Sequence, residues 1–588
     1  GGGGGLCLTF ATTPSFSSFI HVDGPPVVPT LTTSYAHGTS STPLLHDTVG
    51  GMLQKSTERH PDKEAVVFVQ DGVRKTFAQF QQEVDQAAAG LLALGLKKGD
   101  RLGMWGPNIY EWILFQFATA KAGIIMVSVN PAYQLQEVEF ALRKVGCKAV
   151  VCPTQFKTQQ YCDMLRKICP EIDSSIPGDI QSTRLPELRT VIVTDSRQPG
   201  MFHFDDVMQA AGSQHMQQLQ DLQKKIVFDD PINIQFTSGT TGVPKGATLS
   251  HHNIVNNAYF VGKRVGYHWK PHTRVCVPVP LYHCFGSVGA GIVMAVHGTT
   301  IVFPSAGYDG KANIAAVESE RCTFIYGTPT MYVDMVNQPD LKKYDLSSLE
   351  GGIMAGSPCP PELVRKVVSI AYGTTENSPV TFMCSPLDNM ERKSETIGYV
   401  SDHLEVRWRV LEQQVLPLGM SGEIMIRGYC VMLEYWNEKE KTDECITKAR
   451  WYKTGDIGSM DGYSYCKVNG RSKDMIIRGG ENIYPAEIEQ FLHTHPKVKE
   501  AQVVGVKDAR MGEEVCACIK LVEGQECTTE EIRDFCKGQV AHFKIPRYVL
   551  FVDSFPLTIT GKVTFFWLLI NLLNVNMFFF VRTFDHFL

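Results

Sequence analysis

The sequence predicts an α/β protein: a large N-terminal body in which helices cover parallel sheets, followed by a small α+β cap. Short apolar segments of strand length alternate with amphipathic segments of helix length, which is typical of parallel sheets covered on both faces. The chain has 588 residues, too many for one hydrophobic core. The composition changes near Gly470, and the stretch from there to Lys562 is long enough for a small domain of its own.

The alternation begins near Leu45. Helices are predicted at 78–96, 109–123 and EVEFALRKVG, and each has a glycine at or near its end, where glycine commonly stops a helix. Strands are predicted before, between and after them, at EAVVFV, RLGMWG, IIMVSVNP, KAVVCP, DDPINIQF, VCVPVP (275–280), GTTIVF (298–303) and CTFIYGTP (322–329).

The chain divides into four predicted segments. Residues 1–44 are rich in Ser, Thr, Pro and Gly and are predicted to be a disordered lead-in. The body spans 45–470 and the cap spans 471–562. The cap has helices predicted at AEIEQFLHTHP and TEEIRDFCKGQ and strands at EAQVVGV and VCACIKLV. The last segment, 563–588, is an atypical apolar tail.

Composition excludes some classes of function. Acidic residues outnumber basic ones and give a net charge of -5, which argues against a nucleic-acid partner. None of the 17 cysteines forms a C-x-x-C pair, so buried reduced thiols are a better prediction than a zinc site. No Lys or Arg precedes Lys55, so the Arg-rich pattern of a mitochondrial transit peptide is not visible.

One loop is predicted to bind an anion. TSGTTGVPKGA follows the strand predicted at DDPINIQF, and open α/β sheets bind ligands at this end of their strands. Successive backbone amides can surround an anion, the hydroxyl groups can donate to it and the lysine adds a positive charge. A solvent-exposed turn is the alternative explanation. The loop residues concerned are Thr237, Ser238, Gly239, Thr240, Thr241, Gly242, Val243, Pro244 and Lys245.

Four further segments carry groups that suit a nucleotide. In AYGTTE, Tyr372 on a glycine turn offers an aromatic face and Glu376 offers a carboxylate that suits Mg²⁺. In WYKTGDIG, Asp456 follows a glycine turn and can accept from ribose hydroxyls. GRSKDMI contributes Arg471, and ITGK ends in Lys562. A surface turn or a solvated charge explains each segment alone, but their occurrence together favours a nucleotide site.

Taken in order, TSGTTGVPKGA, YGTTE, YKTGD, GRSKDMI and ITGK resemble the motifs of the adenylate-forming superfamily of acyl-CoA synthetases, luciferases and peptide-synthetase adenylation domains. The resemblance covers about Leu45 to Lys562. More narrowly, MAGSPCPPEL, AYGTTENSPVTF, IRGYCVMLEYW and GRSKDMIIRGGENIYPAEIE resemble mitochondrial medium-chain fatty-acid–CoA ligases. The resemblance implies an AMP-binding body and cap, a mitochondrial location, and a fatty acid, ATP and coenzyme A as substrates.

The resemblance also implies a role for each motif. Lys245, Glu376 and Lys562 are the implied catalytic residues: Glu376 would bind Mg²⁺, and Lys562 would stabilise charge at the α-phosphate. The cap would then rotate about a hinge at Lys473 so that coenzyme A can react. ATP would be held by the loop from Thr237 to Lys245, by Lys562, and by Tyr372, Thr375, Asp456 and Arg471.

The acyl site has weaker candidates. His283 in PLYHCFG borders this site in relatives, although a packed core histidine would look the same. The segments GTPTMY and GGIMAGSP could line it, since small residues leave room for a chain, but tight core packing is the alternative. The candidates in these segments are Gly327, Gly352 and Ala355.

The sequence departs from the family pattern twice. Only the nine residues ELVRKVVSI separate Pro361 from Ala371, where relatives have a longer segment, and this shortening is expected to threaten the placement of Tyr372 and Glu376. After ITGK, residues 563–581 contain no charge, which meets the crude criterion for a membrane-spanning helix. An aberrant exon or read-through is the preferred explanation, because the apolar sequence begins abruptly beside a nearly intact motif; a membrane anchor and a buried helix are the alternatives. Membrane association is expected only if the tail is genuine.

The leading hypothesis is therefore a medium-chain fatty-acid–CoA ligase. An enzyme that adenylates another carboxylic acid is the first alternative. Transfer of the acyl group to a carrier protein is less favoured, because no G-G-x-S attachment context follows the cap. The second alternative is a non-catalytic or impaired splice product that retains the fold, which the shortened segment before Ala371 motivates.

Overall fold

The fold is that of a computed structural model, which describes residues 23–237, 244–270, 272–356, 368–409, 415–478, 481–508, 510–537, 539–540 and 542–555. The predictions made for residues 1–22, for Ser238 to Val243, for Lys562 and for the tail 563–588 lie outside these residues.

The first body sheet has eight strands and confirms the predicted alternation. Its first five neighbouring pairs are parallel, and its last two are antiparallel. Thr237 stands opposite Lys245 in one antiparallel pair, so Pro231–Thr237 and Lys245–Ser250 form a hairpin. In spatial order the strands are Phe202–His203, Thr190–Val193, Ala149–Cys152, Arg101–Trp105, Ile125–Val129, Pro231–Thr237, Lys245–Ser250 and Glu434–Tyr435.

The second body sheet has nine strands, and its five central pairs are parallel. Antiparallel strands extend both edges. In spatial order they are Tyr399–Val400, Val380–Met383, Val368–Gly373, Gly351–Met354, Phe324–Gly327, Arg274–Cys276, Thr300–Phe303, Glu64–Phe68 and Val73–Thr76. A separate short hairpin joins Gln155–Phe156 to Gln159–Gln160.

Helices connect and cover these strands. Phe77–Ala93 begins at Thr76, whose side chain accepts from the Gln79 N–H, and Tyr110–Ala122 ends at Gly123 with φ +66°, which favours glycine. Twelve residues of Tyr110–Ala122 are buried, so this helix packs on all sides. The other body helices are Val49–Arg59, Leu135–Val145, Tyr161–Ile168, Phe204–Ala210, Ser213–Gln223, His251–Val265, Cys284–Gly286, Val293–His297, Gly310–Ser319, Pro329–Val336, Met390–Glu395 and Lys439–Cys445.

A five-stranded antiparallel sheet, which the sequence did not predict, completes the body. We call it the antiparallel sheet. Apolar residues alternate with polar ones along Glu405–Arg409, as expected when one face is buried, whereas Gly422–Arg427 contains three consecutive buried apolar residues. In spatial order its strands are Tyr35–His37, Glu405–Arg409, Gly422–Arg427, Tyr452–Met460 and Cys466–Arg471.

The cap has the predicted α+β composition and a core of its own, in which Ile488 and Leu492 of one helix pack with residues of the cap sheet such as Val503 and Ile519. The cap strands are Ile476–Arg478, Glu481–Ile483, Val498–Asp508, Gly512–Leu521 and Tyr548–Phe551, and the helices are Pro485–Leu492 and Thr529–Cys536. The boundary near Gly470 stays a prediction.

Three local predictions are corrected by the structure. The lead-in is not disordered throughout 1–44, because Tyr35–His37 pairs with Glu405–Arg409. The strand predicted at 275–280 ends at Cys276, since the prolines that follow cannot donate to a neighbouring strand. Tyr372 and Asp456 lie within strands rather than on turns.

Among the described residues, no helix is long and apolar enough to cross a membrane. The fifteen described cysteines are free thiols, and thirteen of them are buried. Buried cysteines behave as small apolar residues, so these thirteen contribute to packing.

Glu489→Gln is expected to remove a pH dependence from the stability of the cap. Burial raises the pKa of Glu489 to about 7; the hydrogen bond from the Val503 N–H to Oε1 (2.8 Å) opposes this shift, and the charge of Asp474 adds to it. The folded chain therefore binds more protons than the unfolded chain between pH 4.5 and about 7. Protonation of Glu489 therefore contributes its full share to the free energy of unfolding below this pH interval. As the pH rises through the interval, the free energy of unfolding falls by about 3 kcal/mol at most.

Urea unfolding measured across this pH interval checks the prediction. The glutamine keeps the oxygen that accepts from Val503 but does not ionise, so the variant should show a flatter profile than the wild type and higher stability above pH 7. Equal slopes for the two proteins would contradict it.

Candidate active site

Thr237, Lys245 and Glu376 meet at one end of the first body sheet. Thr237 and Lys245 stand opposite each other in the hairpin, and Glu376 lies in the 3₁₀ turn Thr375–Asn377 that follows a strand of the second body sheet. The Thr237 hydroxyl donates to Glu376 Oε1 at 3.3 Å. The structure thus brings one end of the predicted anion loop beside the predicted metal ligand.

Tyr435 completes this group and was missed by sequence reasoning. It lies on the edge strand Glu434–Tyr435, which pairs with Lys245–Ser250. Its hydroxyl donates to Glu376 Oε1 at 2.7 Å and accepts from Lys245 Nζ at 3.0 Å. Burial, and then the charge of Glu376, raise the pKa of Tyr435 far above its usual value, so the hydroxyl stays protonated. Tyr435 lies in IRGYCVMLEYW, but no spacing in that stretch singles it out.

Asp456, Tyr372 and Arg471 form a second group. Asp456 stands opposite Arg471 in two antiparallel strands, and Arg471 Nε lies 3.2 Å from Asp456 Oδ1. The Tyr372 hydroxyl donates to Asp456 Oδ2. Burial, and then the charge of Asp456, raise the pKa of Tyr372 well above its usual value. The Asp456 carboxyl group is buried, and the Arg471 guanidinium lies beside it.

A bulge places Asp456 in this position. Gly455 has φ +71°, and the pairing with the neighbouring strand is irregular there. Its N–H donates to Glu423 Oε1 at 3.2 Å, while the Thr454 hydroxyl donates to Ile424 O at 2.8 Å. A residue other than glycine would be strained at Gly455, which explains the glycine of the YKTGD motif.

The predicted hinge lies between the antiparallel sheet and the cap sheet. Lys473 belongs to the 3₁₀ turn Ser472–Asp474, which joins Cys466–Arg471 to Ile476–Arg478. A short segment between two sheets can absorb a change of backbone angles. The hinge role stays a prediction.

His283 lies near the first group. Its Nδ1 accepts from the Phe285 N–H at 3.2 Å at the start of the short helix Cys284–Gly286. The neighbouring Cys284 Sγ lies 3.7 Å from Thr375 Oγ1. The PLYHCFG segment therefore contacts the turn that carries Glu376.

The predicted acyl-pocket glycines face the ring of Tyr332. A Cβ at Gly327 would lie 3.0 Å from this ring, and a Cβ at Gly352 would lie 2.7 Å from its hydroxyl. That hydroxyl donates to Ile325 O at 2.8 Å. Ala355 is partly buried directly after the strand that contains Gly352. The room that the two glycines leave is therefore occupied by a tyrosine side chain, and the acyl-pocket assignment stays a prediction.

Two family models match the chain. The model described as AMP-binding enzyme matches residues 53–436, and the model described as AMP-binding enzyme C-terminal domain matches residues 487–562. The first model contains Lys245, Glu376 and Tyr435, and the second ends at Lys562.

Curated relatives and solved structures agree with these models. The chain is 70% identical over 558 residues to the medium-chain acyl-CoA ligase ACSF2, mitochondrial, of Danio rerio, with 93% of this chain and 92% of the relative covered. It is 55% identical over 543 residues to the protein of the same name from Homo sapiens, with 90% and 88% covered. The structure is similar to ATP-bound MatB from Rhodopseudomonas palustris, with a TM-score of 0.78, 26% identity, and 89% of this chain and 98% of that chain covered. These matches confirm the predicted relationship: the chain belongs to the AMP-binding enzyme family, within the adenylate-forming superfamily.

Proposed function

We propose that this chain ligates a medium-chain fatty acid to coenzyme A in an ATP-dependent reaction that passes through acyl-AMP and releases AMP and pyrophosphate. The observation that carries the proposal is the group formed by Thr237, Lys245, Glu376 and Tyr435, in which a buried carboxylate and an ammonium share one hydroxyl at a sheet end. Relatives that are 55% and 70% identical and are named medium-chain acyl-CoA ligases support the substrate class.

In the first half-reaction, a carboxylate oxygen of the fatty acid attacks the α-phosphorus of ATP, and the bond to the oxygen bridging the α- and β-phosphates breaks. The chain positions the reactants and neutralises charge. The loop from Thr237 to Lys245 holds the β- and γ-phosphates through hydroxyl groups, backbone amides and the lysine charge. Lys562 stabilises the charge that develops around the α-phosphate.

Glu376 has the surroundings that a magnesium ligand needs. Its side chain is buried, and its hydrogen-bond partners Thr237 and Tyr435 are neutral hydroxyls. Within the described part of the chain, no cationic side chain forms an ion pair with it, so a buried negative charge is left for a cation to balance. Carboxylate oxygen suits Mg²⁺, which would neutralise phosphate charge there.

The second group binds the nucleoside. Asp456 accepts from the ribose hydroxyls, and because a carboxylate has about four lone-pair sites, it can keep Tyr372 and Arg471 as partners at the same time. The ring of Tyr372 and the turn residue Thr375 lie at the adenine side. Arg471 orients the carboxyl group through the contact of its Nε with Asp456 Oδ1 at 3.2 Å.

The acyl chain lies between the His283 segment and the strand ends that carry Gly327, Gly352 and Ala355. Tyr332 limits the depth of this space, because its ring stands against both glycines. A chain that reaches past them has to displace that ring.

In the second half-reaction, the cap rotates about Lys473 and withdraws Lys562. The thiol sulfur of coenzyme A then attacks the acyl carbonyl carbon, and AMP leaves. The names of the relatives place them in mitochondria, which supports the same location for this chain.

Octanoate tests the proposal because it is a medium-chain acid. We expect ATP–pyrophosphate exchange that depends on octanoate and proceeds without coenzyme A. Addition of coenzyme A should then give octanoyl-CoA. A folded protein that shows neither reaction with any medium-chain acid would contradict the proposal. Exchange with acids of another class only would favour an adenylating enzyme of different specificity.

Tyr435→Phe is expected to lower kcat/KM for ATP about tenfold. The phenylalanine retains the ring that packs 4.2 Å from Lys245 Nζ but removes the hydroxyl that joins Lys245 to Glu376. Loss of a hydrogen bond to a charged group costs about 1.5 kcal/mol or more, which is a factor of about ten. Initial rates of exchange at varied ATP check this, and Tyr344→Phe, a half-buried tyrosine outside the site, should leave kcat/KM unchanged.

A further inference from the structure

A basic groove lies on the outer face of the antiparallel sheet. Arg407 and Arg409 flank the buried Trp408 on their strand, so both side chains point outward. The groove has a volume of about 640 Å³, which falls within the range of small-molecule sites. Its principal lining residues are Arg407, Arg409, Lys448, Trp451 and Lys453.

Positive charge exceeds negative charge in this groove. Arg409 is paired with Glu423 at 3.2 Å, and Arg427 beside the groove is paired with Glu405 at 2.6 Å. Over the part of the chain that the structure describes, the other three cations have no carboxylate within ion-pair distance. These three are Arg407, Lys448 and Lys453.

Arg407 is the most constrained of the three. Two guanidinium groups lie over the Trp451 ring. The Cζ atom of Arg407 is 4.4 Å from the ring centre, and the Cζ atom of Arg427 is 4.6 Å from it. Arg407 Nε is buried and has no hydrogen-bond partner among the described residues. Burial lowers the pKa of Arg407, and the charges of Arg409 and Arg427 lower it further. An anion in the groove would screen this repulsion.

The groove is separate from the candidate active site but shares a strand with it. On Tyr452–Met460, Tyr452 and Asp456 are buried toward the site, whereas Lys453 faces the groove. Glu423, which pairs with Arg409, also accepts from the Gly455 N–H of the bulge that places Asp456. A ligand in the groove therefore lies against the same strand that carries Asp456.

We propose that this groove binds a soluble, multiply charged phosphate compound. Two guanidinium groups and two ammonium groups around one cavity suit several phosphate oxygens at once, since guanidinium pairs with two oxygens and ammonium acts as a point charge. Trp451 is 5% exposed and two guanidinium groups lie over its ring, so the groove lacks the open apolar pocket that a peptide side chain would need. This inference does not depend on the proposed ligase activity.

Pyrophosphate is the probe for the test. Because pyrophosphate is also expected at the candidate active site, the titration uses Lys245→Ala, which weakens that site and leaves the groove intact. Calorimetry should show one binding site in this background, accompanied by a change in tryptophan fluorescence that Trp451→Phe abolishes. Adding Arg407→Gln and Lys453→Gln should weaken this binding about tenfold for each cation removed. Lys499→Gln, an exposed cap lysine, is the control and should not change it.

The outcomes separate the proposal from its alternatives. The proposal is overturned if pyrophosphate binds equally well with and without the two groove substitutions, provided that the chains have the same unfolding midpoint. Cosedimentation with vesicles of phosphatidylcholine and phosphatidylglycerol without pyrophosphate binding also overturns it, and would indicate a membrane surface instead. Pyrophosphate binding that is lost only in the groove variants, without vesicle binding, supports a soluble phosphate ligand.

Discussion

Glu376→Gln is expected to lower the rate of octanoate-dependent ATP–pyrophosphate exchange about 10²- to 10³-fold. The amide oxygen can keep the hydrogen bonds that Thr237 and Tyr435 donate to Oε1, so the local structure should be retained. The substitution removes the negative charge that would bind Mg²⁺. The initial rate of exchange at saturating ATP and octanoate, without coenzyme A, measures the effect.

Glu391→Gln is the matched control. Glu391 is exposed on the helix Met390–Glu395, and its charge should be dispensable. Because a weakened metal site is partly refilled by mass action, a higher Mg²⁺ concentration should restore part of the rate of Glu376→Gln but should not affect the control. A wild-type rate in a folded Glu376→Gln variant would contradict the role of Glu376 as a metal ligand.

The phosphate side of the site was predictable in part. The strand before Thr237 and the loop that leads to Lys245 follow from local sequence, because an apolar segment is followed directly by glycines and a proline. Tyr435 was not predictable in the same way. It reaches Lys245 and Glu376 only because Glu434–Tyr435 pairs with Lys245–Ser250, and that pairing joins residues about 190 positions apart.

The nucleoside side was predicted by motif but not by geometry. YKTGD and GRSKDMI were predicted to contribute to one nucleotide site, but the sequence did not indicate that they lie in adjacent antiparallel strands with Asp456 opposite Arg471. The alternation of buried and half-buried residues on Tyr452–Met460 is regular only after the bulge at Gly455. A bulge disturbs the period of two by which a strand is recognised, so the strand Tyr452–Met460 was missed.

The shortened segment before Ala371 bears on whether the site is intact. Val368–Gly373 still pairs in parallel with Gly351–Met354, with Gly352 opposite Val368. The connection comprises residues 355–367, about a dozen, which is the length that a parallel crossover requires. Tyr372 and Glu376 consequently reach Asp456 and Tyr435 despite the shortening. This observation favours an active ligase over a splice product that retains only the fold.

Lys562→Ala is expected to separate the two half-reactions. Octanoate-dependent exchange should fall about 10²- to 10³-fold, because the lysine would supply charge at the α-phosphate as the acyl-AMP forms. Formation of octanoyl-CoA from supplied octanoyl-AMP and coenzyme A should continue near the wild-type rate, because cap rotation would have withdrawn the lysine by then. Separate assays of the two half-reactions measure the two effects.

Lys499→Ala tests whether any cap lysine has this effect. Lys499 is exposed on the cap strand Val498–Asp508, and its removal should change neither half-reaction. An equal loss of both half-reactions in Lys562→Ala would contradict the prediction that the lysine acts only before the cap rotates. Exchange at the wild-type rate would show that Lys562 is dispensable in a chain with this apolar sequence after ITGK. If Lys562→Ala loses exchange alone, the wild type must carry out the first half-reaction. That result would exclude a splice product that retains only the fold.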